Sequence, residues 1–182
     1  MAEAATLPSL RFLRPAFLPL GRGAHPLWRT CGASPTAVRA ATVQARMLSG
    51  RYRTDWMRRH WAGEESGACR LPGCGAARGD LPHLLAGACP ALAPALARTL
   101  HYWHRILASH PLLLGPVRAA LLGPPHLFVT FLLDPSTDPA VITLCQQHGR
   151  GVLDPLFQLS RAWVWAAHRE RLRQLGLHQY LL

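Results

Sequence analysis

Cys69-Arg70-Leu71-Pro72-Gly73-Cys74, with His83 and Cys89 downstream, reads Cys-x4-Cys-x8-His-x5-Cys. Three soft thiolates and one imidazole within 21 residues suffice to close a tetrahedral shell around zinc. Pro72-Gly73 supplies the turn that a chelating loop needs to bend back on itself, and Gly75 lets backbone amides approach a thiolate. Asp80-Leu81-Pro82-His83 has the form of a helix start, with Asp80 as cap and His83 in the first turn. Cys89-Pro90 then closes the set where that helix ends. The expected ligands are Cys69, Cys74, His83 and Cys89. Four protein donors leave no position for water, so the expected role of the zinc is structural. The competing accounts are a group of ordinary buried thiols and a decayed site that no longer loads metal.

Around this stretch the chain reads as helical. Val38, Ala41, Ala45 and Leu48 recur at helical spacing before Gly50 permits a break. Leu92, Leu96, Leu100, Trp103 and Leu107 form a second stripe, which Pro111 ends. Short helices are expected over Pro116 to Leu122 and Pro125 to Leu133. Asp138-Pro139 pairs an N-cap with a proline at the first helical position, and Gly149 supplies the stop. Asp154-Pro155 repeats the device and opens a longer helix, with Leu156, Leu159, Trp163 and Ala166 on one face and Gly176 at its end. No segment alternates as a strand does. The expected fold class is all-α, with short helices around a small Cys-Cys-His-Cys zinc loop. The expected divisions are a disordered Pro/Arg-rich leader over 1–35, a basic helical segment over 36–62, the zinc element over 63–92 and a helical region over 93–182.

Charge is concentrated at the front. The chain of 182 residues carries a net +11, all of its positive charge on Arg because it contains no Lys. Residues 1–61 hold ten Arg against Glu3 and Asp55. Such a balance suits a polyanionic partner, RNA or single-stranded DNA in particular. In Arg51-Tyr52-Arg53-Thr54-Asp55-Trp56-Met57-Arg58-Arg59-His60-Trp61 guanidinium and aromatic groups interleave. Read as one helix, it stacks Tyr52, Trp56 and His60 on a face, leaving Asp55 near Arg51, Arg58 and Arg59. Arg51, Arg53, Arg58 and Arg59 are the expected phosphate contacts, and the aromatics are either stacking planes or core anchors.

Five cysteines, an odd number with three clustered, fit a metal site in a reducing compartment better than a disulfide framework. That points inside the cell, to nucleus or cytoplasm. The acid-poor leader has some features of a mitochondrial transit peptide, but its prolines oppose the amphipathic helix such a signal needs. No apolar run reaches the length of a membrane span. Cys31 and Cys145 are isolated thiols, Cys145 expected to be buried, and His101 and His104 are expected at the surface. The few scattered acids make no paired carboxylate site, and no nucleophile elbow, phosphate loop or dinucleotide fingerprint occurs. No enzymatic activity is expected.

In chain order, Met47-Leu48-Ser49-Gly50-Arg51-Tyr52-Arg53-Thr54, a Trp-rich helix, Cys-x4-Cys, Gly79-Asp80-Leu81-Pro82-His83-Leu84-Leu85 and Cys89-Pro90-Ala91-Leu92 follow one another. That order resembles the region downstream of the reverse transcriptase domain in non-LTR (LINE-like) retrotransposons. The resemblance is densest over residues 36–95. It implies that Cys69, Cys74, His83 and Cys89 are metal ligands, in an element that helps a polymerase hold RNA template or target DNA. The paired-aspartate motif of the polymerase and any endonuclease domain are absent, so the implied activity is binding without catalysis. The competing reading is a helical interaction protein that docks a partner through its Trp103, Trp163 and Leu stripes. A transposon-derived open reading frame without a function of its own is the other alternative.

Overall fold

Helix starts in this chain are set by proline and by side-chain caps. Pro35, Pro82, Pro94, Pro125 and Pro139 occupy first-turn positions, where a missing N–H costs nothing. Ser34 accepts a hydrogen bond from the Ala37 amide, Asp80 from His83, and Asp138 from both Ala140 and Val141. The structure, a computed structural model, describes residues 26–29, 31, 34–61, 63 and 66–177. Among them are nine α-helices and no strand: α1 (Pro26–Arg29), α2 (Pro35–Leu48), α3 (Asp55–Trp61), α4 (Leu81–Leu85), α5 (Ala93–Ser109), α6 (Leu114–Leu122), α7 (Pro125–Leu133), α8 (Pro139–His148) and α9 (Leu153–Gln174). The all-α expectation holds. Most of the leader over 1–35 lies outside the described residues; within the described part, Leu27 of α1 is buried.

Boundaries differ from the sequence expectation in three places. After Gly50, at φ 67°, the chain stays non-helical until Asp55, so Tyr52 and Trp56 do not share a helix face. Thr54 is the residue that starts α3, its hydroxyl accepting from the Met57 amide at 3.2 Å. The side chains of His60 and Trp61 lie outside the described residues. Second, α6 begins at Leu114, ahead of Pro116, because the turn Pro111–Leu113 winds directly into it. Third, Val152 already has helical dihedrals, so α9 begins at Leu153 and Asp154 sits inside the first turn. There its carboxylate meets the positive end of the helix dipole instead of capping an amide.

The 22-residue α9 is the axis on which α1, α2, α4, α5 and α7 pack. Two tryptophans tie neighbours to it. Trp103 of α5 donates through Nε1 to the Leu159 carbonyl at 3.0 Å, and Trp163 of α9 donates to the Leu85 carbonyl of α4 at 2.8 Å. Their rings lie 4.9 Å apart, with Phe128 of α7 edge-on to Trp163 at 5.6 Å. At 2% and 5% exposure, Trp103 and Trp163 are core residues and present no surface to a partner, which corrects that part of the docking expectation. Aromatics that bury most surface win the interior when helices meet.

The stripes shift for the same reason. On α2 the inward face is Ala40, Ala41, Gln44, Met47 and Leu48, with Val38 exposed; on α5 it is Ala95, Leu96, Thr99 and Trp103, with Leu100 exposed. Gln44 was unforeseen in that face. Its amide donates to the carbonyls of Leu132 and Leu133 at 3.0 and 2.9 Å, satisfying the open C-terminal end of α7. Arg161 of α9 likewise reaches the Leu27 carbonyl of α1 at 3.3 Å.

Candidate metal centre

Local backbone chemistry prepares the cysteine loop. Cys69 N–H donates to the Ala76 carbonyl at 2.9 Å and Cys74 N–H to Leu71 at 3.1 Å, closing a tight turn. Gly73 and Gly75 both adopt positive φ, at 71° and 64°, flanking Cys74 and rotating its side chain inward. The Asp80 cap fixes the first turn of α4 and with it His83. Cys89 stands at the foot of α5, its carbonyl accepting from Leu92 and Ala93.

The result is a compact donor set. The four ligand atoms of Cys69, Cys74, His83 and Cys89 lie within 4.8 Å of one another. Cys74 Sγ is 3.1 Å from His83 Nε2 and 3.7 Å from Cys89 Sγ. Tetrahedral zinc with bonds of about 2.3 Å to sulfur requires ligand atoms about 3.8 Å apart; the Cys74–Cys89 pair is near that spacing, and the widest separations in the set would close by about 1 Å around a single ion. Cys69 and Cys89 are buried; Cys74 and His83 are half-buried. Burial pushes the Cys69 thiol up to about 12 and raises that of Cys89, and it lowers the His83 imidazole. The Cys69 and Cys89 thiols therefore resist ionisation; a divalent ion would supply the missing positive charge and take the thiolate forms.

Helix α3 stands on this loop through two glycines. A Cβ on Gly67 would lie 2.6 Å from the Trp56 ring, and one on Gly79 would lie 3.0 Å from both Asp55 and the Cys69 backbone. Gly79 N–H donates to Gly67 at 2.8 Å, and Trp56 N–H to Gly79 at 3.3 Å. Asp55 is the hub. Only 1% exposed, its carboxylate accepts from the Arg70 amide at 3.2 Å and from Arg171 of α9 at 2.9 Å, and Arg171 also reaches the Arg53 carbonyl. The expectation that Asp55 pairs with Arg51, Arg58 or Arg59 is therefore replaced by a partner 116 residues away. No local signal in the sequence marks that pairing.

Tyr52 completes the buried polar group, its hydroxyl 3.1 Å from His168 Nδ1. Burial pushes the Tyr52 phenol up, while burial together with Arg171 and Arg46 holds the His168 imidazole down at about 4. Unfolding returns that ring to its ordinary value near 6.5, so between these values the unfolded chain binds the extra proton. Stability from this group is complete above about pH 6.5 and drains away as the pH falls toward 4. After allowance for solvent screening of the half-buried ring the loss is about 2 kcal/mol. Urea titrations at pH 7 and pH 4.5 are expected to show it for the native chain and not for His168→Gln.

Arg51, Arg53, Arg58 and Arg59 are all exposed, the first two in the loop before α3 and the last two on it. Trp56 lies between two guanidinium groups, Arg59 at 5.7 Å and Arg78 at 4.3 Å from its ring. Arg78, which also pairs with Asp80 at 2.6 Å, joins this basic surface only through folding. His101 and His104 are exposed, as expected. Cys31 is buried with its thiol on the Leu27 carbonyl, whereas Cys145 is half-buried and not interior. Among the described residues no helix is long and apolar enough to cross a membrane. No protein family, no curated protein and no solved structure matches this chain.

Proposed function

We propose that the Cys69, Cys74, His83 and Cys89 site holds zinc as a structural ion, and that the chain is a non-catalytic nucleic-acid-binding protein. Its bearing on origin is the one the sequence resemblance implies, a remnant of the region downstream of a retrotransposon reverse transcriptase. The observation that supports it best is the seating of α3 on the cysteine loop, because it makes the metal site the footing of Arg51, Arg53, Arg58 and Arg59. Four guanidinium groups on one short segment favour a phosphate backbone.

If each arginine neutralises one phosphate of RNA or single-stranded DNA, log affinity falls against log salt with a slope of about −3. Fluorescence anisotropy with labelled single strands measures it. The double variant Arg51→Gln/Arg59→Gln is expected to bring the slope to about −1.5. Salt-independent binding, or none, would remove this reading.

A second reading rests on α6 and its approaches, where Leu112, Leu114, Leu121, Leu122 and Leu127 are exposed, Leu122 at 76%. Clustered leucines in water favour a protein partner. Light scattering of a clean monomer together with tight strand binding would favour the first reading over this one.

A further inference from the structure

Away from the metal centre, α5 and α9 part to leave a groove of about 580 Å³. Packed helices normally fill the space between their axes with side chains. Here Ala95, Thr99, Ala162 and Ala166 form the floor, and their small size keeps the groove open. The walls are of a different character. Arg98 and Tyr102 stand on the α5 side, and Trp165, Arg169, Glu170 and Arg173 on the α9 side.

The charges do not cancel. Arg173 Nε and Glu170 pair at 3.0 Å, and the Arg173 hydrogen bond holds the Glu170 carboxyl below its ordinary range. Arg98 and Arg169 have no hydrogen-bond or ion-pair partner among the described residues. Arg98 also feels the Glu170 carboxylate, but three guanidinium groups against one acid leave the groove with surplus positive charge, beside half-buried Tyr102 and Trp165. An apolar occupant would strip water from both arginines without replacing it. An acidic peptide would satisfy the charge and leave the aromatic planes unused. A nucleotide satisfies both, and the volume lies within the range of small-molecule sites.

We propose that the α5–α9 groove binds a nucleotide unit, its base against Trp165 and Tyr102 and its phosphate on Arg98 and Arg169. The unit is either a free nucleotide or one residue of a single strand. The groove shares no lining residue with the Arg51–Arg59 segment, although His168 bridges Trp165 to Tyr52, and the proposal holds whether or not that segment binds nucleic acid.

The test is calorimetry and tryptophan fluorescence on the full chain with AMP, oligoadenylate and a polyglutamate peptide. Saturable AMP binding supports a free nucleotide; saturable binding of oligoadenylate alone supports a strand. In either case Arg98→Gln/Arg169→Gln and Ala166→Leu are each expected to raise Kd at least about tenfold. Arg51→Gln/Arg59→Gln should leave AMP binding unchanged, and Trp165→Phe should abolish the fluorescence response. Circular dichroism checks folding, and the arginine variant, altered only at exposed side chains, carries the test if Ala166→Leu misfolds. The proposal is overturned if neither AMP nor oligoadenylate saturates, if the groove variants bind as the native chain does, or if polyglutamate displaces AMP.

Discussion

Cys74→Ser is expected to strip the metal from the chain and lower its unfolding free energy by about 3–5 kcal/mol. Cys74 sits between two other donors, at 3.1 Å from His83 Nε2 and 3.7 Å from Cys89 Sγ, so no neighbour can move in to replace it. The loop and the helix after it also carry Leu71, Leu81, Leu84, Leu85 and Leu92 into the core. Without the ion, those leucines keep their apolar contacts and the Trp163–Leu85 hydrogen bond but lose the link that ties the cysteine loop to α4 and α5. Binding energy of structural zinc in small peptides reaches about 10–16 kcal/mol, but there the metal is nearly the whole of the fold. Here α2, α5, α7 and α9 keep their own apolar contacts, so the expected loss is partial. Elemental analysis of protein purified without chelator should give one zinc per native chain and less in the variant. A chelator added to the native chain should reproduce the lower urea midpoint. Cys145→Ser, outside the cluster, should change neither. Native protein that contains no metal and ignores the chelator would dispose of the zinc reading while leaving the helical fold intact.

Asp55→Ala is expected to cost about 3–5 kcal/mol, through a different mechanism. The carboxylate and the Arg171 guanidinium are both buried, and the bridge between them measures 2.9 Å. Removing the acid leaves Arg171 charged in the interior with no counter-ion, held only by the Arg53 carbonyl and the Tyr52 ring, and leaves the Arg70 amide without its acceptor. Such an uncompensated charge is costlier than the pair itself is stabilising. The double variant Asp55→Leu/Arg171→Met should therefore recover most of the loss, giving a coupling energy readable from a double-mutant cycle of urea midpoints. Additive losses would show that the two residues act independently. Because the Arg70 amide neighbours Cys69, the single variant should also weaken zinc binding about tenfold.

These two results test different ranges of the chain's information. The Cys-Cys-His-Cys set was legible in the sequence because its ligands fall within 21 residues, and a chelating loop that short has few ways to close. Asp55 was visible too, but its partner was not. Four arginines stood within four residues of it in the sequence, yet the bridge formed with Arg171, since burial by α3 and α9 strengthens that pair and water screens the others. Helix faces sat between these cases. Periodicity placed Trp103 and Trp163 on apolar stripes, but which side of each stripe turns inward depended on the helices that meet it.

The sequence alone determined what short-range chemistry can determine: the all-α class, most helix starts and stops through Pro, Asp and Gly, and the four candidate metal donors. Those signals act over one or two turns and need nothing from distant residues. Only the tertiary structure decided that α9 is the axis, that Asp55 belongs to Arg171, that Gln44 closes α7, and that alanines facing each other across α5 and α9 leave a groove. Each of these depends on how separate helices pack, and the energy of a packed pair is defined only once both faces have been chosen.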